Sequence, residues 1–464
     1  MTKRALLVGL MALAMLFGML PQTALAQEPV ELVYTQWGGP DELEVFEYLV
    51  GVFNERNPDI RIVFQPIPTD YDTALQTMIA GGTPPDIAMV SDGLFNSLVP
   101  TGVLVSLQPF VDASEVDWDN IWPSAIGRYR WDAEAKAFGQ GDIYALPRDI
   151  GPTVLYINVD LFEAAGVELP DPVVPMTWDQ IIDIGTRITV DGAGRHPDEE
   201  GFDPTTVEIW GVGDLWYENT VYGNGGRVLS EDGRTFLAPT DQNTIDAIQF
   251  LADLRHVYQV RPSTAQIASM SESQMFETGR VAMQTCGRWC VTNYRRVLDF
   301  EWDVRPNPVG PSGQITSFNN QEDCTFSGWS GSVGLAIIKG SKGEQYAEQA
   351  YRFIEFIFGE EGQIEQAKLG FQIPNQIDVA QTDVFRQPGL PPANVEPYYE
   401  AARCQLPGPW TQTPVFGQWF DDLFWNNVWP AVVVDGTMLA EDALQENAAA
   451  FQQGLDEAWA TLDN

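Results

Sequence analysis

Five tryptophans, Trp37, Trp216, Trp289, Trp329 and Trp410, fall in segments that read as loops, next to glycine or acidic residues, in a chain that carries 15 tryptophans in all. Indole faces stack on flat C–H surfaces such as those of sugar rings, and the hydroxyl edges of a ring need carboxylate and guanidinium partners. Asp92, Arg148 and Asp149 offer that second kind of group, again at loop positions. Taken singly, each residue has a plainer reading: an indole fills a core as readily as it binds, Asp92 caps a turn, and Arg148 with Asp149 forms a self-satisfied ion pair. Trp289 after Gly287 and Trp37 at a strand end are the strongest candidates. Trp419, Trp425 and Trp429 lie at roughly helical spacing and read as core, with one of them able to reach a cleft.

The elements that would position these groups alternate. Val30 to Trp37 reads as a strand, Asp41 to Asn54 as a helix with Leu43, Phe46, Val50 and Phe53 on one face, Ile60 to Gln65 as a strand, Tyr71 to Ala80 as a helix and Asp86 to Val90 as a strand. This β-α-β-α-β opening predicts parallel strands crossed by helices. Ligands meet such sheets at the carboxyl ends of the strands. The loops there hold Trp37 and Gly38, Tyr71, and Asp92, which makes them one wall of a site. A second unit begins near Pro152: Thr153 to Ile157 reads as strand, Asp160 to Ala165 as a short helix closed by Gly166, and Thr177 caps a helix from Gln180 to Ile188. Asp191 to Pro204 is a surface excursion. Beyond Ser341 the pattern is mostly helical, broken at Pro388 to Pro397.

The first 26 residues have the form of an export signal: Lys3 and Arg4, an apolar run from Ala5 to Leu20, and Ala24-Leu25-Ala26 ahead of Gln27. Cleavage after Ala26 leaves no cysteine at the new terminus for a lipid anchor, so the expectation is a secreted or periplasmic protein. A formal charge of −40 argues against nucleic acid and anionic lipid as partners. Four cysteines, Cys286, Cys290, Cys324 and Cys404, form an even set in an exported chain and favour disulfides. If Cys286 to Cys290 is helical, their β carbons are about 5–6 Å apart against the ~3.8 Å a disulfide needs, so two long-range bridges involving Cys324 and Cys404 are expected. His196 and His256 are too remote for a zinc site with these thiols. Asp117-Trp118-Asp119-Asn120 lacks the glycine and distal glutamate of a calcium loop. No metal and no cofactor is expected.

Several segments then add up to a resemblance. Phe53-Asn54-Glu55-Arg56-Asn57-Pro58, Ala80-Gly81-Gly82-Thr83-Pro84-Pro85-Asp86-Ile87, Ile143-Tyr144-Ala145-Leu146-Pro147, Leu155-Tyr156-Ile157-Asn158 with Asp160 to Gly166, Phe276 to Met283 with Gly287-Arg288-Trp289, Gly334 to Ile337, and Gly370-Phe371-Gln372-Ile373-Pro374 occur in order. In this the chain resembles the extracellular solute-binding proteins of family 1, the maltose-binding-like receptors of ABC importers. Ile157 stands where the family commonly has a second tyrosine, and the cysteines are not a general family feature.

The resemblance implies an α/β, two-lobe periplasmic-binding-protein type II fold. It puts 27–150 with 329–362 in one lobe and 151–328 with 363–464 in the other. About three hinge crossings join them, near Gly151, near Gly328 to Gly331 and near Gly359 to Gln363. It also implies a monomer that binds a small solute, a sugar or oligosaccharide first, and passes it to membrane permease subunits. Two other readings compete. One is a secreted carbohydrate-active enzyme with paired carboxylates, although Gly328-Trp329-Ser330-Gly331-Ser332 misses the serine-nucleophile elbow by its last residue. The other is a receptor of the same fold for a cationic solute.

Overall fold

The computed structural model describes residues 28–122, 125, 127–313, 328–406, 408–414 and 420–463; the export-type segment and Cys324 lie outside them. The opening follows the sequence pattern closely. Strands β1 (Val30–Thr35), β2 (Ile60–Phe64) and β3 (Ile87–Ser91) enclose helices Pro40–Arg56 and Tyr71–Ala80. β1 pairs in parallel with both β2 and β3. The first helix buries Phe46, Leu49, Val50 and Phe53, which are spaced as one face of a helix, against this sheet. Full burial of side chains of this size contributes about 1.5–3 kcal/mol each. Leu43 stays at the margin, and Val45 is buried beside Phe46 instead.

A small antiparallel sheet of β4 (Arg130–Asp132), β5 (Ala137–Phe138) and β6 (Asp142–Ile143) leads into β7 (Leu146–Asn158), which is buried along its whole length. β7 serves two partnerships. Its first half pairs with β10 (Ser330–Ile337), and its second half with β8 (Met283–Gly287) and β9 (Trp302–Arg305). The change of partner falls at Gly151-Pro152-Thr153, where Gly151 stands opposite Gly331 in the ladder. The strand order is β2-β1-β3-β10-β7-β8, with β9 also on β7. The parallel pattern therefore stops at β3, because β10 returns from a distant part of the chain and runs antiparallel to both β3 and β7.

The second unit has its own core. Asn158 caps helix Val159–Ala164 by accepting the Leu161 N–H at 3.1 Å, and Thr177 with Gln180 forms a capping box on helix Trp178–Ile188. Trp178 stacks on Phe250 at 4.2 Å, and Phe451 of the long helix Ala440–Asp463 stacks on Phe236 at 4.3 Å. Asp421–Val428 and Pro430–Val434 wind as π-helix, a form that concentrates at functional sites. Residues 363–376 lie along the first half of β7. Gln363 donates to the Arg148 carbonyl at 2.9 Å, and Ile373 bridges to Ile150.

The cysteine expectation is overturned. Cys286 and Cys290 are joined by a disulfide, with Cα atoms 6.4 Å apart. The premise of a helix fails because Cys286 belongs to β8, Gly287 ends that strand, and the chain turns through Arg288 and Trp289 before helix Cys290–Val297 starts. Cys404 is disulfide-bonded as well. Among the described residues no helix is long and apolar enough to cross a membrane, and no cluster of potential metal ligands occurs.

Candidate functional site

A cavity of about 1250 Å³ opens between the two units, floored by the strands that both share. From the first unit come Trp37 after β1, Ser91 and Asp92 after β3, and the polar face Thr73, Gln76 and Thr77 of helix Tyr71–Ala80. Trp289, Tyr217 and Glu218 face them from the second. Arg148, Asp149 and Gly151 of β7 and Gly331 to Val333 of β10 lie at the bottom.

The floor is an ion network built at the end of the first helix. Arg148 is almost fully buried, donates to Asp149 Oδ2 at 2.7–2.8 Å, pairs with Glu42 Oε1 at 2.8 Å, and lies over the Phe46 ring at 4.3 Å. Burial pushes the Asp149 carboxyl up to about 6, against the pull of the Arg148 charge. Gly38 does not line the cavity; a β carbon there would sit 2.9 Å from the Glu42 carboxyl carbon, so its bareness lets Glu42 reach the network. Asp92 pairs with Arg128 at 2.7 Å with both side chains buried. Burial raises its carboxyl above the ordinary range.

The indoles are positioned by packing. Trp289 lies across two glycines: a β carbon on Gly151 would come within 2.6 Å of its ring and one on Gly287 within 1.9 Å. Trp289 stacks on Trp216 at 5.9 Å, and Trp216 meets Trp329 at 5.4 Å, so three of the five candidate tryptophans form one partly exposed cluster. Trp216 itself faces an adjoining chamber. Tyr71 is a buried support: its hydroxyl donates to the Met89 carbonyl at 2.8 Å and its ring meets Trp37 edge-on at 5.2 Å, beside a 420 Å³ recess. Trp410 lies in the short 3-10 helix Pro409–Gln412, and its side chain is outside the described structure.

Sequence reasoning missed Glu42, Tyr217, Glu218 and the polar stripe Thr73, Gln76 and Thr77. The stripe has a legible signal, because positions three and four apart share a helix face. Of the C-terminal trio, Trp419 lies outside the described residues, Trp425 reaches the cavity and Trp429 lines the adjoining chamber.

Two α/β units with a ligand-sized cleft floored by through-running strands define a class, the two-lobe type II periplasmic binding proteins of the maltose-binding type. The chain belongs to the bacterial extracellular solute-binding protein family, which it matches over residues 39–364. It is similar to the Listeria monocytogenes ABC substrate-binding protein solved with cycloalternan (TM-score 0.73, 22% identity, 92% of this chain and 99% of that one). It is also similar to a maltose-bound Thermotoga maritima protein (TM-score 0.70, 20% identity, 92% and 99% covered). An arabinooligosaccharide-binding protein of Halalkalibacterium halodurans is 26% identical over 265 residues, 56% of this chain and 54% of the relative.

Proposed function

We propose that this protein is the exported, monomeric receptor of an ABC importer and captures a sugar or oligosaccharide by closing its lobes, then delivers it to the permease. The observation that carries the reading is the cleft itself: indoles of both units face one space floored by the shared strands, whose charged groups are carboxylates and a guanidinium. The ligands named for the similar proteins above are carbohydrates, which supports the same class. In this reading Trp37 and Trp289 stack on ring faces, while Asp92, Asp149 and Arg148 meet hydroxyl edges. No bond is made or broken. Ligand touches both lobes only when they are closed, so binding shifts a pre-existing open–closed equilibrium. The signal-like residues Lys3 to Ala26 support export as part of this reading.

A second reading keeps the fold and changes the guest. Among the described residues five carboxylates (Glu42, Asp72, Asp92, Asp149 and Glu218) and one guanidinium (Arg148) line the cavity, a balance that also suits an organic cation. A thermal-shift screen of mono- to hexasaccharides against polyamines and quaternary amines separates the two. A ligand at 100 times its dissociation constant adds about 2.7 kcal/mol of stability. Stabilisation by sugars supports the first reading; stabilisation by amines alone replaces it with the second. Catalytic release of shorter sugars from an oligosaccharide would refute both.

A further inference from the structure

Trp289 sits inside a closed ring of chain. The disulfide between Cys286 and Cys290 encloses only Gly287, Arg288 and Trp289, and ties the end of β8 to the first residue of helix Cys290–Val297. We propose that this bridge is a positioning element of the binding site: it holds the Trp289 indole in the orientation a ligand meets, so that opening the bridge weakens capture while the second unit stays folded. The inference rests on the reading of Trp289 as a ligand-stacking residue and goes beyond it to what aims the indole.

The size of the ring argues for a local role. In the chain-entropy account a cross-link stabilises a fold by restricting the unfolded chain, and the gain shrinks with the loop it closes. A bridge between residues four apart in sequence therefore adds little to the fold at large. β8 is in any case laddered to β7 from Met283 to Gly287. What the bridge adds is a fixed separation between the strand end and the helix start, with Trp289 between them.

Other ties secure the near side of this turn and leave the indole side to the bridge. The Tyr156 hydroxyl donates to the Gly287 carbonyl at 2.9 Å, and the Arg288 N–H donates to the Pro152 carbonyl at 3.2 Å. Arg288 itself is 1% exposed, its Nε and Nη1 have no hydrogen-bond partner, and it grips only the ring faces of Phe385 at 5.0 Å and Tyr398 at 5.2 Å. Trp289 stands at the N-cap of helix Cys290–Val297 without a side-chain cap, since an indole offers no acceptor to the free N–H groups there. The indole rests on Gly151 and Gly287, two residues with no side chain to wall it in. Its orientation therefore depends on the backbone that carries it, and that backbone is held on its helix side by Cys290. A plate fixed before the ligand arrives saves the ordering cost of fixing it on binding.

The test pairs calorimetric titration, with maltotriose and mannotriose as probes, with fluorine NMR of the fluorotryptophan-labelled protein. Cys286→Ala with Cys290→Ala should weaken binding about tenfold, or about 1.4 kcal/mol. In a Trp289→Ala background the same two changes should leave affinity where Trp289→Ala alone puts it. Equal weakening in both backgrounds would mean that the bridge acts on the fold at large, and unchanged affinity in the native background would mean that it aims nothing; either result overturns the proposal. The fluorine resonance that disappears in Trp289→Phe should broaden or split when the bridge is removed, while the other resonances keep their positions. A sharp, unmoved Trp289 signal overturns the proposal with no ligand present. Reduction of the native protein with dithiothreitol supplies both readings should the double variant not fold. Binding of neither trisaccharide tells against the carbohydrate reading and leaves the fluorine signal to decide whether the bridge orders the indole.

Discussion

At the scale of single residues the site turns on what is left out as much as on what is present. Gly151 and Gly287 are bare where Trp289 lies, and the would-be β carbons of 2.6 and 1.9 Å leave no room for a substitute. Gly151→Ala should therefore push the indole off its bed and weaken binding nearly as much as Trp289→Ala, each by about tenfold or about 1.4 kcal/mol. Because both changes remove the same plate, their effects should not add, and the double variant should bind like either single one. Titration followed by tryptophan fluorescence reads all three proteins. Trp289 is partly exposed, so its removal should cost the fold only about 1 kcal/mol, which a denaturant melt checks. Full additivity would mean that Gly151 and Trp289 act separately.

At the scale of elements, the segment 191–206 is gathered around the carboxylate of Asp191. Asp191 is buried, yet it accepts N–H groups from Ala193, Arg195 and Asp203 at 2.8–3.0 Å and the Arg195 guanidinium at 2.8 Å. Burial opposes its charge, and these donors overcome that, holding the carboxyl well below the ordinary range. A depressed folded value contributes stability that is present above the unfolded value near 3.8 and is lost as pH falls below it. Protection of the amides at 193–203, taken relative to intrinsic exchange at each pH, should therefore fall below about pH 4 in the native protein, and in Asp191→Ala it should already be lost at pH 7. The sequence announces this segment as a surface excursion but not its clasp, since one aspartate of three among Gly and Pro has no periodicity to betray it. Where periodicity exists the reading is sound: Phe46, Val50 and Phe53 share a face, Thr177 caps its helix, and β1 to β3 run parallel. Partners distant in sequence escape it. β10 joins β3 and β7 antiparallel and Glu42 reaches Arg148, which local pattern does not encode; Cys286 and Cys290, four residues apart, escape for a different reason, the turn at Gly287 to Trp289 that brings them together.

At the scale of the whole molecule two forces act on the lobes. A formal charge of −40 makes the compact state repel itself, and added salt screens that repulsion over about 10 Å at 0.1 M. The melting temperature should accordingly rise as sodium chloride goes from 10 mM to 0.5 M; a fall would mean that exposed ion pairs such as Arg352 with Asp59 outweigh net repulsion. The second force is the ligand. β7 and β10 run side by side with Gly151 opposite Gly331, a pairing with no side chain on either strand that suits the bend the proposed closure requires. In that closure Trp289, Tyr217 and Glu218 would approach Trp37 and Asp92 across the cavity. Small-angle scattering should show a smaller radius of gyration with saturating sugar, and Gly151→Pro, which fixes φ at the bend, should lessen the contraction. Unchanged scattering at full occupancy would mean that the cleft binds as a rigid trough, and the equilibrium between open and closed forms would have no part in capture.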